Sequence, residues 1–172
     1  MRMALAFVPA GAEHIAALHS FILDHGANVW NWLPEDGITA HMQDIAAAKA
    51  HGLLAMDEEH LVGAVTFCTT HDFSRYQLAQ RQDAPQGYIC EAVVRRDQVG
   101  RGLGTQLLER AVQALQALGL QEIYIDRHEE NAASAGMMRK AGFVELATFT
   151  EPARRPHGSG RTTVCRMLLK PG

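Results

Sequence analysis

Residues Val94 to Leu107, VRRDQVGRGLGTQL, decide the fold. Upstream, Tyr88 to Arg95 carries β-branched Ile89, Val93 and Val94 and reads as a strand. Downstream, Leu103, Leu107, Leu108, Ala111, Leu115 and Leu118 fall on or near one helical stripe, which Gly119 stops. Between the two, Gly100, Gly102 and Gly104 let the backbone turn tightly and approach a ligand. The following helix aims free N–H groups and the positive end of its dipole at the same point. Such a junction suits a phosphate or pyrophosphate. Arg101 lies in the turn, and Arg95 and Arg96 precede it; the alternative is a glycine-rich connection with solvated arginines.

Toward the N-terminus, Met3 to Val8 reads as a first strand. Arg2, this apolar stretch and Ala10-Gly11-Ala12 loosely imitate a secretory signal, but the stretch is shorter than the usual apolar region of about 7–15 residues and Pro9 interrupts it. Ile15, Leu18, Phe21 and Ile22 predict an amphipathic helix over roughly 13–25, closed by Gly26. A loop from Asn28 to Gly37 holds Trp30, Trp32, Pro34, Glu35 and Asp36. Thr39 is expected to cap a second helix reaching Ala50. Leu53 to Met56 and Leu61 to Thr69 read as a hairpin around Asp57-Glu58-Glu59. Residues 71–87 are polar, with Pro85 and Gly87, and are expected to be the least ordered stretch.

Toward the C-terminus, Glu122 to Asp126 reads as a short strand. Asn131 is a natural cap for a helix that reaches Ala141 and ends at Gly142. Phe143 to Thr150 and Thr162 to Leu169 read as strands, joined by a loop containing Arg154, Arg155, Pro156, Gly158 and Gly160. The order β-α-α-β-β-β-α-β-α-β-β predicts a single α/β domain over 1–172, with a mixed, twisted sheet of about seven strands flanked by about four helices.

A chain of 172 residues can bury roughly two thirds of its unfolded surface. With 47% hydrophobic and 20% charged residues, a disordered or fibrous chain is excluded. The net charge of −3 argues against a nucleic-acid binder that relies on a broad basic surface. No apolar run approaches the roughly 18 residues that span a membrane, so no membrane partner is expected. Cys68, Cys90 and Cys165 are an odd number in apolar contexts, which is no disulfide framework and points to a reducing cytoplasm. The nine histidines show no metal-ligand spacing and the cysteines are far apart, so no metal is expected.

Three phosphate-binding templates compete for the glycine turn. A P-loop requires Gly-Lys-Ser/Thr, which Gly104-Thr105-Gln106 does not supply. The dinucleotide fingerprint G-x-G-x-x-G fails at Leu107, although Asp126, near the end of the next strand, keeps a nicotinamide- or nucleotide-binding enzyme open. The third template rests on Val99-Gly100-Arg101-Gly102-Leu103-Gly104, on Asn131-Ala132-Ala133-Ser134 and on Lys140-Ala141-Gly142-Phe143. With these, residues 88–146 resemble the GNAT superfamily of acyl-coenzyme A N-acetyltransferases, whose patterns are Q/R-x-x-G-x-G/A, N-x-x-S and K-x-G-F. The first half is similar in outline to phosphinothricin-type acetyltransferases. Val99 replaces the family's Gln or Arg, and Gln98 stands one residue early.

The resemblance implies acetyl-CoA as co-substrate and transfer of its acetyl group to the primary amine of a small molecule, an amino acid or amino-acid-like compound. It implies that the backbone of Ala92, Val93 and Val94 pairs with the pantetheine arm. The loop from Val99 through Gly100, Arg101, Gly102, Leu103, Gly104 and Thr105 would hold the pyrophosphate, Asn131 would bond near the pantetheine or thioester end, and Ser134 of the same motif would also bind the cofactor. Backbone N–H groups on the cofactor-binding strand would stabilise the developing oxyanion.

Glu91 is the candidate general base, because an alkylammonium acceptor must lose a proton before it attacks. On the period-2 pattern it shares a face with Ile89 and Val93, where burial would raise its pKa, and it matches a position where some members place a catalytic glutamate. The alternative is a glutamate facing water or paired with an arginine. Met138 stands where many members have a tyrosine that protonates the leaving thiolate; Tyr88, Cys90, Tyr124 or water are the substitutes. As a nucleophile Cys90 is disfavoured, since an apolar-strand cysteine is usually a small packed hydrophobe.

Met138 also favours a second reading, a coenzyme A-binding module that has lost transfer chemistry. Loops 28–37, 71–87 and 150–161 are expected to border the acceptor. Trp30, Trp32, Glu35 and Asp36 would offer an aromatic wall and negative charge, and Arg154 and Arg155 would meet an acceptor carboxylate; ordinary loop packing is the alternative for each. The resemblance also implies a homodimer.

Overall fold

The computed structural model describes residues 5–170; Arg2, Met3 and Ala4, which bear on the signal and first-strand expectations, lie outside them. The elements are β1 (Leu5–Pro9), α1 (Ile15–Gly26), α2 (Glu35–Ala46), β2 (His51–Asp57), β3 (His60–Thr70), β4 (Gln86–Val94), α3 (Leu103–Ala117), β5 (Glu122–His128), α4 (Ala132–Ala141), β6 (Val144–Thr150) and β7 (Arg161–Leu168). They follow the expected order. The seven strands lie in the order β1-β2-β3-β4-β5-β7-β6, and β4–β5 is the parallel pair in an otherwise antiparallel sheet. No helix among the described residues is long and apolar enough to cross a membrane.

Alternation along the strands sorts the core into two layers. Leu54, Ala64 and Val93 pack against Leu18, Phe21 and Ile22 of α1 and Ile38, Met42 and Ile45 of α2. Ala55, Val65, Phe67 and Ile89 pack on the other side against Leu103, Leu107, Leu108 and Leu115 of α3 and Met138 of α4. Because helices cover both faces, β3 is buried continuously from Val62 to Phe67 and does not alternate polar with apolar. Leu107 is fully enclosed, and that burial stabilises the fold by roughly 2–3 kcal/mol.

Two local expectations are corrected. The helix expected to start at Thr39 begins at Glu35, directly behind Pro34. Pro34, at φ −66° and ψ 132°, turns the chain into the helix, and its carbonyl accepts from Ile38 N at 3.1 Å. Glu35 and Asp36 then sit in the first turn, where the dipole favours negative charge. The helix also stops at Ala46, short of Ala50, because Lys49 N and Ala50 N both turn back to the Asp44 carbonyl.

The stretch 71–87 is likewise more regular than expected. Phe73 N donates to Gln86 Oε1 at 3.0 Å, and the Phe73 ring stacks on Tyr124 at 4.6 Å. Arg166 donates to the Tyr76 carbonyl at 2.8 Å. Gln77 and Gln86 are buried, most of the other polar side chains face outward, and the stretch is pinned to β4, β5 and β7.

Two irregularities of β4 position the site. Thr66 pairs with Glu91 but Phe67 pairs with Ile89, so Cys90 is an extra residue in a β-bulge. On the other edge, β4 pairs with β5 only at Gly87↔Ile123 and Tyr88↔Tyr124. Beyond those pairs the two strands part.

Candidate active site

The parting of β4 and β5 opens a cavity of about 570 Å³ that runs to the N-terminus of α3. A second cavity of about 250 Å³ lies toward α2, and Asn31, Cys90, Glu91, Arg154 and Arg155 line both. Glu91 therefore stands at the wall between a large groove and a smaller pocket.

The bulge puts it there. Expected to share a face with both Ile89 and Val93, Glu91 shares one with Val93 alone. Ile89 packs toward α3, whereas Val93 packs toward α1 and α2. One extra residue inverts the alternation between them, and it turns Glu91 to the side on which Cys90 touches Cys68. A regular strand would have driven this carboxylate into the α3 core.

Burial, reinforced by the negative charge of Asp126, pushes the Glu91 carboxyl up to about 7. The Asn31 side chain, Arg154 and Arg155 pull the other way. Asp126 is itself held by Arg154, through Nη1 at 3.1 Å and Nη2 at 3.0 Å, and by the Tyr88 hydroxyl at 3.1 Å. Arg155 reaches Asp126 at 3.5 Å and Thr162 at 2.9 Å. The expected pairing of Arg154 and Arg155 with a ligand carboxylate thus has an internal rival in Asp126.

At the other end of the groove, Gly102 caps α3 in the left-handed conformation, φ +79°, with no side-chain hydrogen bond to the helix. Among the described residues no protein acceptor meets the amides of Gly100 to Thr105; the first α3 bond is Gln106 N to Gly102 O at 3.1 Å. A side chain at Gly100 or Gly102 would meet nothing within 4 Å, so the cradle is open. A Cβ at Gly104 would overlap Met137 Sδ of α4, so the Met137 side chain lies directly against this glycine at the start of α3. These exposed donors at a helix N-terminus fit a pyrophosphate. The free edge of β4 beyond Tyr88 carries the backbone of Ala92 to Val94, which fits a linear amide-bearing arm added like a strand.

Of the anticipated cofactor residues, Ala92, Val93, Val94, Val99, Gly100, Gly102, Leu103, Gly104, Thr105, Asn131 and Ser134 line this groove. Arg101 does not; its guanidinium turns back to Gln98 Oε1 at 3.3 Å. Leu103 contributes backbone, since its side chain is buried in the core. Asn131 caps α4 as expected, accepting from Ser134 N at 3.1 Å, and lines the groove. Arg95 pairs with Asp97, and Arg96 donates to the Asp24 and Ala27 carbonyls at the end of α1, so both are structural.

Around the smaller pocket, Trp32 is 51% exposed and lines the wall. Trp30 lines the groove instead and packs on His128 at 4.8 Å between ring centroids. Glu35 lines neither cavity, and no residue of 71–87 reaches them. Tyr124 bonds Glu122 at 2.9 Å away from both, whereas Tyr88 lines the pocket and Cys90 lines both. Met138 is buried among the α3 side chains and also lines the groove. Sequence reasoning missed Asn31 and His41, which faces the pocket and bonds Thr66 Oγ1 at 2.8 Å. No group of three or more His, Cys, Asp or Glu among the described residues is arranged to hold a metal ion.

Known proteins share both the sequence pattern and the fold. A family model described as Acetyltransferase (GNAT) family matches residues 15–143. The chain is 27% identical over 135 residues to an L-methionine sulfoximine/L-methionine sulfone acetyltransferase of Pseudomonas aeruginosa, covering 75% of this chain and 72% of that protein. The counterpart from Pseudomonas paraeruginosa matches equally. Among solved structures, yncA of Salmonella typhimurium with its cofactor acetyl-CoA superposes with a TM-score of 0.70 at 20% identity, over 100% of this chain and 96% of that one. Arabidopsis thaliana NAA60 with a bisubstrate analogue gives a TM-score of 0.78 at 12% identity, over 98% and 100%. At these identities the structural likeness is one of fold.

Proposed function

Because the chain belongs to the GNAT family of acetyltransferases, we propose that it moves the acetyl group of acetyl-CoA directly to the primary amine of a small, amino-acid-like molecule, with Glu91 as general base. The single observation that carries this reading is that Glu91 lines both cavities, with a carboxyl pushed up to about 7. The groove with the free amides of 100–105 is the donor side and the pocket beneath Trp32 is the acceptor side.

Acetyl-CoA supplies an activated thioester carbonyl. The chain supplies placement and a proton acceptor. Backbone amides at the N-terminus of α3 hold the anionic end, and the open edge of β4 aligns the arm so that its reactive end comes to Glu91. Glu91, near half ionisation at neutral pH, takes a proton from the acceptor ammonium, directly or through one water. The amine nitrogen then bonds the acetyl carbon as the carbon–sulfur bond breaks. Water, or Tyr88 at the pocket wall, returns a proton to sulfur.

The acceptor's chemistry follows from the pocket wall. Leu33, Pro34 and Ile38 take an apolar side chain, and Arg154, 47% exposed in its side chain, presents a cation for a carboxylate. The relatives that act on methionine sulfoximine and methionine sulfone support an amino-acid-like acceptor. The test is release of free thiol from acetyl-CoA across a panel of amino acids, their decarboxylated amines and their N-methylated forms. Turnover restricted to primary amines, with the amino acids preferred, supports the reading. Tight acetyl-CoA binding with no turnover on any amine would support instead the binding module that buried Met138 favours.

A further inference from the structure

We propose that Cys68 and Cys90 form a hydroperoxide-responsive dithiol, which closes to a disulfide beside Glu91 and lowers turnover. The placement begins with the bulge. Cys90 has no ladder partner on β3, and its Sγ lies 3.7 Å from Sγ of Cys68 on that neighbouring strand. The two thiols already touch, and a bond needs their sulfurs to close to about 2.05 Å. Neither is sealed in the core, since both are half-buried and Cys90 faces both cavities.

The pair is also chemically asymmetric. The hydrogen bond from Cys90 favours a thiolate on Cys68, against burial and the charges of Asp72 and Asp44. That bond and burial together hold the Cys90 proton in place. Cys68 is thus the attacking sulfur and Cys90 the resolving one. In the first step the Cys68 thiolate attacks the peroxide; an S–O bond forms, the O–O bond breaks, and hydroxide leaves to be protonated. In the second, the Cys90 sulfur attacks the sulfenic sulfur; the S–S bond forms, the S–O bond breaks, and the departing hydroxide takes the Cys90 proton as water. Two thiols lose two electrons and one hydroperoxide is reduced. A thiol reductant reverses the change.

The effect on activity rests on the reading of Glu91 as base, but the modification itself does not. Drawing Cys90 toward β3 shifts the residue next to Glu91 at the one point of β4 where the ladder is already interrupted. Cys165, buried on β7 with its thiol pushed up to about 11 by burial, is an internal control.

The experiment treats the reduced, full-length protein with hydrogen peroxide, then alkylates after unfolding and maps the peptides, with acetyl transfer and acetyl-CoA melting shifts followed in parallel. Alkylatable thiols are expected to fall from three to one, with Cys68 linked to Cys90 and Cys165 free. Turnover of the oxidised fraction is expected to fall about tenfold or more, as for displacement of a reacting group by about 1 Å, and dithiothreitol should restore it. Cys68→Ser and Cys68→Ala should keep basal turnover and lose the peroxide response. Three alkylatable thiols after treatment that fully oxidises free cysteine would overturn the proposal. So would a disulfide that leaves turnover unchanged, or equal inactivation of Cys68→Ser. Should no amine be turned over at all, the Proposed function fails, while the thiol map still decides the dithiol.

Discussion

Arg154 closes on Asp126 with both terminal nitrogens, at 3.1 and 3.0 Å, and the Tyr88 hydroxyl meets the same carboxylate at 3.1 Å. This triangle joins β4 to β5 above the point where their ladder ends. It also sets the charge around Glu91, because Asp126 raises the proton affinity of that carboxyl and Arg154 lowers it. Asp126 and Arg154 are positioning residues in this arrangement, and they act with opposite signs.

Asp126→Asn removes the negative charge and frees the arginine, and both changes favour ionised Glu91. The acid limb of the kcat/KM profile, set near 7 in the native chain, is therefore expected to move to lower pH. A profile that stays in place or moves upward would show that Asp126 is electrically remote from the base.

Arg154→Gln is expected to move the same limb upward, since it leaves Asp126 less compensated. If Arg154 also receives the acceptor's carboxylate, KM for an amino acid should rise about tenfold or more, the cost of a lost charged hydrogen bond, while KM for the decarboxylated amine changes little. Equal rises for both acceptors would assign Arg154 to the triangle alone.

Glu91→Gln should lower turnover by about 10²–10⁴-fold while leaving acetyl-CoA affinity unchanged. Its effect on stability has a definite sign. The folded-state value of about 7 lies above the ordinary 4.5, so Glu91 in its native setting favours the fold fully below pH 4.5, and that contribution is lost as pH rises through 7. The amide carries no such loss. Above pH 7 the variant is expected to melt higher than the native chain, by an amount on the order of 1–2 kcal/mol once water in the open cavity is allowed for. Parallel melting curves at pH 5 and 8.5 check this.

Gly102→Ala isolates the cradle. The added methyl meets nothing within 4 Å, so the cost is that of a left-handed backbone at φ +79°, about 1–2 kcal/mol. For a chain of this size that lowers Tm by roughly 2–8 °C. Acetyl-CoA affinity should fall as well, because relaxation of the turn rotates the free amides away from their common point. Calorimetric titration at a temperature where both proteins are folded separates the two effects.

The amphipathic stripe of α3, the Asn131 cap and the Gly142 stop were legible because each depends on side chains within a few residues of one another. The start of α2 was misread for a similar reason. Thr39 is a better cap by chemistry than Pro34, but Ile38 and Met42 must both face β2 and β3, and that packing draws the helix start back to Glu35. The polar 71–87 stretch looked irregular because its anchors, Gln86, Tyr124 and Arg166, are spread across three strands.

By itself the amino-acid sequence determined the order of elements, the phosphate-type turn and the resemblance that led to the family, since spacing along the chain encodes all three. Only the tertiary structure decided which way Glu91 points. Local alternation paired it with Ile89, toward the α3 core; the extra residue at Cys90, visible only when β3 is laid beside β4, turned it to the cavities instead. The triangle of Tyr88, Asp126 and Arg154 is of the same kind, because residues 28 to 66 positions apart meet only once the sheet has closed around them. Side chains whose charge state depends on distant neighbours draw their chemistry from the fold, and no window of sequence contains it.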